Sequence, residues 1–393
     1  MGDKTRVAGV AMVPFTKPGR SEPYDAMAAA VARAALADAG IDYGSIQQAY
    51  VGFVLGDTTS GQQALYQVGL TGIPIVNVNN ACATGSSALF LARQAVESGA
   101  VDVALAVGFE QMTPGALASP YADRPPVNGM LNEQMTALDV WNQEAPVAAN
   151  YFGAAAVEYQ KAHGTKNETF ARVSVKARDH AARNPFAIFR DRLSVEEVLA
   201  SPHIYGPLTR FQCCPPTCGA AAVVVVSADY ARRHGISQSI GIAGQAMTTD
   251  GTLSFEGRSM VQGVGFDMTR RAADQVYEQA GVGPGDVDVV ELHDCFTANE
   301  IISYEALGLT PGGTAEQFIL DGDNTYGGKV VVNPSGGLLS KGHPLGATGL
   351  AQITELVWHL RGNAGDRQVD GARVALQHNI GLGGACVVTL MRP

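Results

Sequence analysis

Residues 79–88 read NNACATGSSA, and the pattern around this stretch decides the fold. An apolar run at residues 73–78 precedes it, and an apolar helix is predicted to follow it, leading into a strand at residues 101–107. Residues 347–349 repeat the Ala-Thr-Gly of this stretch and likewise open a predicted helix that leads into a strand. The sequence therefore predicts two similar βαβ-rich units in an α/β protein, rather than a solenoid.

A second correspondence supports the duplication. Residues 39–51 and residues 280–290 each predict a helix that ends at a glycine, a short loop and a buried strand. We therefore assign residues 1–240 to the first half of the protein and residues 241–393 to the second half. The first half includes an insertion at about residues 114–207, whose prolines, methionines and helical stretches differ from the repeat. This insertion is interpreted as a helical region that packs on the core and also shapes a substrate pocket.

Composition restricts the class of protein. The 393 residues are 46% hydrophobic and 16% charged, which is typical of a compact α/β enzyme and not of a disordered chain. The net charge is −10, and no run of Lys and Arg resembles a nucleic-acid-binding surface. The apolar runs are short and interrupted by glycine, so no membrane span is expected. Neither a signal peptide nor a peroxisomal address is recognised, and we expect a cytoplasmic protein.

Cys82 is the first candidate catalytic residue. It lies where a predicted helix begins, so unpaired N–H groups and the positive end of the helix dipole are expected to favour its thiolate form. The dipole contributes only about 0.3–1 kcal/mol, which is less than one pKa unit, so a base is still required. The alternative interpretation is a small buried cysteine without chemistry, the commonest role of a lone cysteine.

Functional side chains are concentrated at the end of a predicted buried strand, where residues 289–297 read VVELHDCFT. Ligands of α/β sheets bind at strand ends, and side chains two residues apart on a strand point the same way. His293 and Cys295 are therefore candidates for one site. The alternative is an aspartate that caps a helix and has incidental neighbours.

Two glycine-rich segments supply further candidates. Residues 333–347 contain His343 between a glycine and a proline, and the repeat makes this segment equivalent to the neighbourhood of Cys82. A phosphate-binding loop is disfavoured there because the GxxxxGK[ST] order is absent. Residues 377–384 contain Gly381, where the backbone can approach a ligand closely, as an oxyanion hole requires. The alternative for this segment is a plain turn between strands.

The remaining cysteines are interpreted as structural. Residues 213–218 read CCPPTC, but structural zinc sites combine two separated pairs of ligands, and no second pair is evident. We therefore predict three packed or loop thiols in this segment, a core position for Cys386, and no metal ion. Six cysteines in a chain without a secretion signal are expected to be reduced.

The four motifs together resemble the thiolase superfamily over nearly the whole chain. The resemblance is closest to the sterol-carrier-protein type, also called lipid-transfer-protein thiolases, because residues 293–296 read HDCF where common thiolases carry Asn-Glu-Ala-Phe. Common thiolases also carry a second cysteine in a Cys-x-Gly turn, which here reads Asn379-Ile380-Gly381. The resemblance implies a thiolase fold, with two similar halves in five α-β-α-β-α layers and a helical loop-domain insertion.

The resemblance also implies a mechanism. Cys82 would attack the keto carbon of a 3-ketoacyl-CoA, and His343 would take the thiol proton. Cys295 would replace the missing second cysteine and exchange protons with the acetyl-CoA carbanion and with CoA, while His293 would anchor an oxyanion hole. The backbone N–H groups of Cys82 and Gly381 would form a second oxyanion hole. Coenzyme A would be a co-substrate, and no permanently bound cofactor is expected.

The expected function is that of a thiolase, an acetyl-CoA C-acyltransferase. It would cleave 3-ketoacyl-CoA with CoA, or run the reverse Claisen condensation, in fatty-acid or sterol side-chain breakdown. A homodimer or homotetramer is expected.

Three alternatives remain open. A decarboxylating ketoacyl synthase would not need Cys295. A retro-aldolase or C–C lyase on CoA-linked side chains would work with a small OB-fold partner, but such enzymes tend to lack the nucleophilic cysteine. A non-catalytic acyl-CoA or lipid carrier is disfavoured by the intact set of Cys82, His293, Cys295 and His343.

Overall fold

The first half of the fold is a mixed sheet that begins near the N-terminus. The structure is a computed structural model, which describes residues 4–114, 123–236 and 238–393. The strands and helices of the first half up to the insertion are β1 (Thr5–Met12), α1 (Tyr24–Ala39), β2 (Gln48–Gly52), α2 (Ser60–Tyr66), β3 (Ile75–Val78), α3 (Thr84–Glu97) and β4 (Val103–Glu110). After the insertion the chain returns to the same sheet with β7 (Gly219–Ser227) and α8 (Ala228–Arg233).

The insertion separates β4 from β7 and is mostly helical. It contains α4 (Gly129–Ala137), α5 (Val147–His163), α6 (Asn167–Ala181), α7 (Val195–Ala200) and a small ladder of β5 (His203–Tyr205) with β6 (Leu208–Thr209). Its helices α5 and α6 pack on the second half of the protein, because Phe152 and Phe170 belong to the same apolar cluster as Val276 and Ile301. The insertion therefore lies within the first half of the sequence but packs on the second half of the fold.

The second half repeats the first with longer connections. Its elements are β8 (Ile240–Thr248), α9 (Leu253–Glu256), α10 (Met260–Gly263), α11 (Phe266–Ala280), β9 (Val289–Glu291), α12 (Thr297–Ala306), α13 (Ala315–Leu320), β10 (Val331–Val332), α14 (Gly337–Ser340), α15 (Thr348–Arg361), β11 (Ala375–Gly381) and β12 (Ala385–Arg392). As the repeat predicts, α1 and α11 both end at a left-handed glycine, Gly40 with φ 68° and Gly281 with φ 66°. Glycine occupies such positions because it lacks the Cβ that makes positive φ costly.

The two halves have the same strand order. The first half reads β3-β2-β4-β7-β1 and the second reads β10-β9-β11-β12-β8. In each half the first three strands are parallel and the last two are antiparallel to their neighbours. A short antiparallel pairing of β1 with β8 joins the halves into one ten-stranded sheet. The prediction of two similar halves is confirmed.

The layers follow from the apolar faces of the helices. Helices α3 and α15 lie between the two halves of the sheet, where Leu89 and Leu350 share one buried cluster. Helices α1 and α2 cover the outer face of the first half, and α11 and α12 cover that of the second. The five-layered α/β architecture is therefore confirmed. No helix of the described segments has both the length and the apolarity needed to cross a bilayer.

Candidate active site

The N-termini of the two middle-layer helices meet at the centre of the molecule. A Cβ at Gly85 would lie 2.7 Å from the carbonyl oxygen of Gly346, and a Cβ at Gly349 would collide with Ser86. Only glycine therefore permits this approach of α3 to α15. The consequence is that the loops preceding the two helices, which carry Cys82 and His343, face one another.

A threonine at the start of α3 shapes the Cys82 loop. The Thr84 hydroxyl accepts the N–H of Asn80 at 2.8 Å and donates to the carbonyl of Ala81 at 2.6 Å. Ala81 is held at φ 47°, a left-handed conformation that is costly for a residue with a Cβ. This tight turn presents the Cys82 side chain, which is half-buried, two residues before the helix begins.

The equivalent threonine of α15 shapes the His343 loop. The Thr348 hydroxyl donates to the carbonyl of Pro344 at 2.9 Å and contacts Nδ1 of His343 at 2.8 Å. The backbone N–H of His343 donates to the Thr217 hydroxyl at 3.0 Å. The Nε2 atom of His343 is buried and has no hydrogen-bond partner among the described residues, so it is free to act on a substrate or a thiol.

The structure brings Cys82, His293 and His343 together. The Cys82 sulfur and one ring nitrogen of each histidine all lie within 4.8 Å of one another. The two imidazole rings are nearly perpendicular, with centroids 5.0 Å apart. His293 comes from the loop between β9 and α12, and its Nδ1 contacts the side-chain nitrogen of Asn379 at 2.9 Å. This spacing could also hold a metal ion, and the sequence-based expectation of a metal-free site stays a prediction.

Cys295 lies beside this group in a buried position. Its side chain is 5% exposed, and its carbonyl accepts the backbone N–H of Cys214 at 2.8 Å. Burial, followed by the neighbouring Cys214 and Cys82, holds the pKa of the Cys295 thiol well above its usual value. Cys214 was expected to be a packed or loop thiol, and it lies against the candidate site. The unusual run of two cysteines and two prolines at residues 213–216 was the sequence signal that could have drawn attention to this segment.

The resting Cys82 is a neutral thiol. Burial raises its pKa to about 12, the carboxylate of Glu110 acts in the same direction, and the backbone N–H groups of Cys82 and Leu382 oppose them. The backbone N–H groups at the helix N-terminus thus lower the pKa in the expected direction, but burial outweighs a dipole worth about 0.3–1 kcal/mol, so a base is still required. Burial also lowers the pKa of His343 to about 3. The site rests as a neutral thiol beside a neutral imidazole.

Glu110 is a site residue that sequence reasoning missed. It ends β4, is fully buried, and accepts the backbone N–H groups of Leu55 at 2.8 Å, Gly346 at 2.9 Å and Val54 at 3.2 Å. Burial raises its pKa to about 7. A charged residue at the end of a wholly apolar strand was the available signal. Glu110 holds the His343 loop against the first half of the protein.

Asp294 combines the two interpretations of its motif. Its carboxylate accepts the backbone N–H groups of Leu338 at 2.7 Å and Leu339 at 3.4 Å, so it caps α14 as the structural alternative proposed. Because α14 leads into the His343 loop, the same contacts tie that loop to the His293 and Cys295 loop. The motif therefore holds a structural aspartate between the two candidate site residues His293 and Cys295.

A cavity of about 430 Å³ opens beside Gly381. A Cβ at Gly381 would collide with the carbonyl of Asn80, so glycine is required for the final turn to touch the Cys82 loop. The cavity lies between this turn, the insertion and the segment around α9 and α10. Its apolar lining includes Leu131, Phe255, Val264, Met268, Ile380 and Leu382.

Comparisons with known proteins identify the family of this chain. Residues 6–229 match the family model described as thiolase, N-terminal domain, and residues 254–391 match the model described as thiolase C-terminal domain-like. The chain is 50% identical to bovine (Bos taurus) sterol carrier protein 2 over 390 residues, which cover 98% of this chain and 72% of the relative.

Solved structures share the fold of this chain. A structure titled Ltp2-ChsH2(DUF35) aldolase matches with a TM-score of 0.82 and 25% identity, covering 99% of this chain and 97% of the other. Human mitochondrial 3-ketoacyl-CoA thiolase matches in fold with a TM-score of 0.73 and 17% identity, covering 99% and 98% of the two chains. The chain belongs to the thiolase family, and within it to the sterol-carrier-protein type.

Proposed function

We propose that this thiolase-family protein cleaves 3-ketoacyl-CoA with CoA, or runs the reverse condensation, through an acyl-enzyme on Cys82. The observation that carries the proposal is the convergence of the Cys82 sulfur and two histidine nitrogens within 4.8 Å, with the Cys295 thiol beside them. A nucleophile, a neutral base and a second proton carrier are the groups that such a reaction needs.

In the first half-reaction the Cys82 sulfur attacks the keto carbon while its proton passes to Nε2 of His343. The bond between the keto carbon and the α-carbon then breaks, and the carbanion of acetyl-CoA takes a proton from the Cys295 thiol. His293 donates to the oxygen on which negative charge collects. Hydrogen bonds to such an oxyanion are worth about 2.7–4 kcal/mol each in the transition state.

In the second half-reaction the Cys295 thiolate takes the proton of an incoming CoA thiol. The CoA sulfur attacks the acyl carbon, and the bond to the Cys82 sulfur breaks. His343 returns its proton to Cys82, so both thiols regain their starting states. Backbone N–H groups of Cys82 and of the turn at Gly381 are proposed to hold the thioester oxygen, and the N–H of Leu382 already lies at the Cys82 sulfur.

The cavity beside Gly381 is proposed to receive the acyl chain. Its apolar lining suits a hydrocarbon, because burial of apolar surface contributes about 25 cal/mol per Å². Its position next to the Cys82 loop would place the acyl carbon at the nucleophile.

A homodimer or homotetramer is proposed through the free edge of β3. This strand ends the sheet of the described residues, and Val76 on it is 44% exposed. The large apolar side chains of Tyr66 and Leu70 are also exposed near this edge. An exposed apolar edge is an aggregation hazard unless it is paired. Sedimentation at micromolar concentration tests this, and a stable monomer would contradict it.

A retro-aldolase that works with a small partner protein is the second candidate. The observation that favours it is the similarity to the Ltp2-ChsH2(DUF35) aldolase, whose TM-score of 0.82 exceeds that of the human thiolase. The name of that structure joins Ltp2 to ChsH2, a DUF35 protein. The convergence of Cys82 with His343 favours thiolase chemistry instead.

A panel of 3-ketoacyl-CoA substrates with CoA distinguishes the two candidates. We expect CoA-dependent release of acetyl-CoA or propionyl-CoA together with a shortened acyl-CoA. A protein that releases neither product from 3-ketoacyl-CoA, but splits a β-hydroxyacyl-CoA into a ketone or aldehyde and acetyl-CoA or propionyl-CoA without using CoA when a DUF35 protein is added, would favour the retro-aldolase.

A further inference from the structure

A chain of buried polar side chains leads from a backbone carbonyl to His293. The side-chain nitrogen of Gln352 donates to the carbonyl of His378 at 3.2 Å. A carbonyl oxygen can only accept, so this contact fixes the orientation of the Gln352 amide, whose oxygen must point the other way. The side-chain oxygen of Gln352 accepts a hydrogen bond from the side-chain nitrogen of Gln377 at 2.9 Å. This contact fixes the orientation of the Gln377 amide in the same way.

The next contacts carry this orientation to the imidazole. The same Gln377 nitrogen lies 2.8 Å from the Ser86 hydroxyl and donates to it. The single hydroxyl proton of Ser86 is then available for the side-chain oxygen of Asn379, which lies 2.9 Å away. The Asn379 nitrogen therefore faces His293 and donates to its Nδ1 at 2.9 Å.

These contacts settle which nitrogen of His293 carries its proton. Burial holds the pKa of His293 well below its usual value, so the ring is neutral and carries one proton. Because Nδ1 accepts from Asn379, this proton lies on Nε2.

His343 shows the opposite arrangement. The Thr348 hydroxyl uses its single proton on the carbonyl of Pro344, so it accepts from Nδ1–H of His343. The Nε2 atom of His343 therefore carries a lone pair. The two adjacent imidazoles thus differ in role, since one offers a base and the other offers a hydrogen-bond donor.

We propose that Asn379 is a positioning residue that holds the proton of His293 on Nε2, directed by Ser86. The catalytic meaning rests on the proposed function, in which this N–H donates to the developing oxyanion while Nε2 of His343 takes the Cys82 proton. Asn379 stands where common thiolases are expected to carry a second cysteine. An amide cannot transfer a proton at neutral pH as a cysteine can. At this position Asn379 instead donates a hydrogen bond to His293 and accepts one from Ser86.

Histidine-labelled protein tests the proposal without any need for activity. The chain has eight histidines, and long-range ¹H–¹⁵N correlation spectra distinguish a protonated ring nitrogen from one with a lone pair. In the wild-type protein near pH 7.5 we expect His293 to be protonated on Nε2 and His343 on Nδ1. The two signals are assigned by their loss in His293→Asn and His343→Asn. A wild-type His293 protonated on Nδ1 would overturn the proposal.

Asn379→Asp supplies the matched variant, because aspartate has the same shape but only accepts hydrogen bonds. We expect a proton to appear on Nδ1 of His293, whether the ring stays neutral or becomes charged, while the His343 pattern is unchanged. An unchanged His293 pattern would contradict the assignment.

Ser86→Ala keeps Asn379 but removes its proton donor. Here we expect two tautomers of His293 and a severalfold fall in kcat with little change in KM. A single Nε2-protonated form with wild-type kcat would show that Ser86 does not direct the amide. A wild-type protein with the expected tautomers but no CoA-dependent cleavage would instead contradict the proposed function alone.

Discussion

Cys82 and Cys295 are the same chemical group in two different surroundings. Each lies two residues before the start of a helix, α3 for Cys82 and α12 for Cys295. Cys82 is half-buried, close to two imidazoles, with backbone N–H groups directed at its sulfur. Cys295 is buried, and its neighbours are the thiols of Cys214 and Cys82 and the carboxyl of Asp294.

The comparison shows that the helix N-terminus alone does not make a cysteine reactive. Burial raises the pKa of both thiols, so neither is a thiolate at rest. What distinguishes Cys82 is a neutral base within reach and donors that can stabilise the charge formed during attack. Cys295 is proposed as the acid and base of the reaction, because its surroundings raise the pKa of its thiol and keep it protonated until a stronger base such as a carbanion arrives.

Removal of the nucleophile should have the largest effect. Cys82→Ala leaves His343, His293 and Cys295 in place but has no sulfur to form the acyl-enzyme. We expect 3-ketoacyl-CoA cleavage to fall by about 10⁴-fold or more, because loss of a covalent nucleophile removes the pathway itself. Steady-state rates measured with CoA and a 3-ketoacyl-CoA check this. Retention of more than a hundredth of the rate would place the nucleophile elsewhere.

Removal of the proposed acid and base, Cys295, should lower activity less than removal of Cys82, and it should affect carbon–carbon cleavage more than acylation. Cys295→Ala should lose about 10²–10⁴-fold in carbon–carbon cleavage, the range that general acid–base groups contribute. It should still accept an acyl group from a simple acyl-CoA, since His343 remains to take the Cys82 proton. Cys386→Ala is the control, because Cys386 is a buried thiol in β12, outside the site. Equal loss of acylation and cleavage in Cys295→Ala would contradict the division of roles.

The protonation state of Cys82 can be followed by alkylation of the free protein. Because its pKa is raised to about 12, the thiolate fraction and the rate of iodoacetamide labelling should rise about tenfold per pH unit between pH 7 and pH 9. Cys295 should remain unlabelled over this range because it is buried. Peptide mapping after timed quenching measures both sites. A labelling rate of Cys82 that is flat from pH 6 to pH 8 would indicate a thiolate–imidazolium pair.

Filling the cavity should have the smallest effect of this set. Leu382→Trp adds volume to the apolar lining while the backbone N–H beside Cys82 remains. We expect kcat/KM for long-chain 3-ketoacyl-CoA to fall about tenfold, with little change for acetoacetyl-CoA, since one extra or missing methylene in a hydrophobic pocket is worth about 1–3 kcal/mol. Leu320→Trp, at a half-exposed position at the end of α13, is the control. Equal losses for short and long chains would place the acyl chain elsewhere.

Much of the fold was predictable from the sequence because the repeat is local in each copy. The helix ends at Gly40 and Gly281 and the Ala-Thr-Gly starts of α3 and α15 are short-range signals, and the structure has them where the pattern predicts. That the insertion packs on the second half was not predictable, because contacts such as Phe152 with Phe296 join residues far apart in sequence.

The candidate site also has features that the sequence predicted and features that it did not. Cys82, His293, Cys295 and His343 stood out because reactive residue types cluster at predicted element ends. The raised pKa of Cys82 could not be predicted, because it depends on burial and on Glu110, which reaches the site only through the fold. The polar role of Asn379 was also missed, since its value lies in contacts with Ser86 and His293 from two other segments.

Mapping of the acyl-enzyme by mass spectrometry tests whether Cys82 is the nucleophile. The protein is mixed with a 3-ketoacyl-CoA in the absence of CoA, quenched in acid, and examined by intact-mass and peptide mass spectrometry. We expect one acyl group, shortened by two carbons, on the peptide that contains Cys82, and its discharge when CoA is added before the quench. An acyl group on Cys295, or cleavage without any adduct on Cys82 under these conditions, would contradict this role of Cys82.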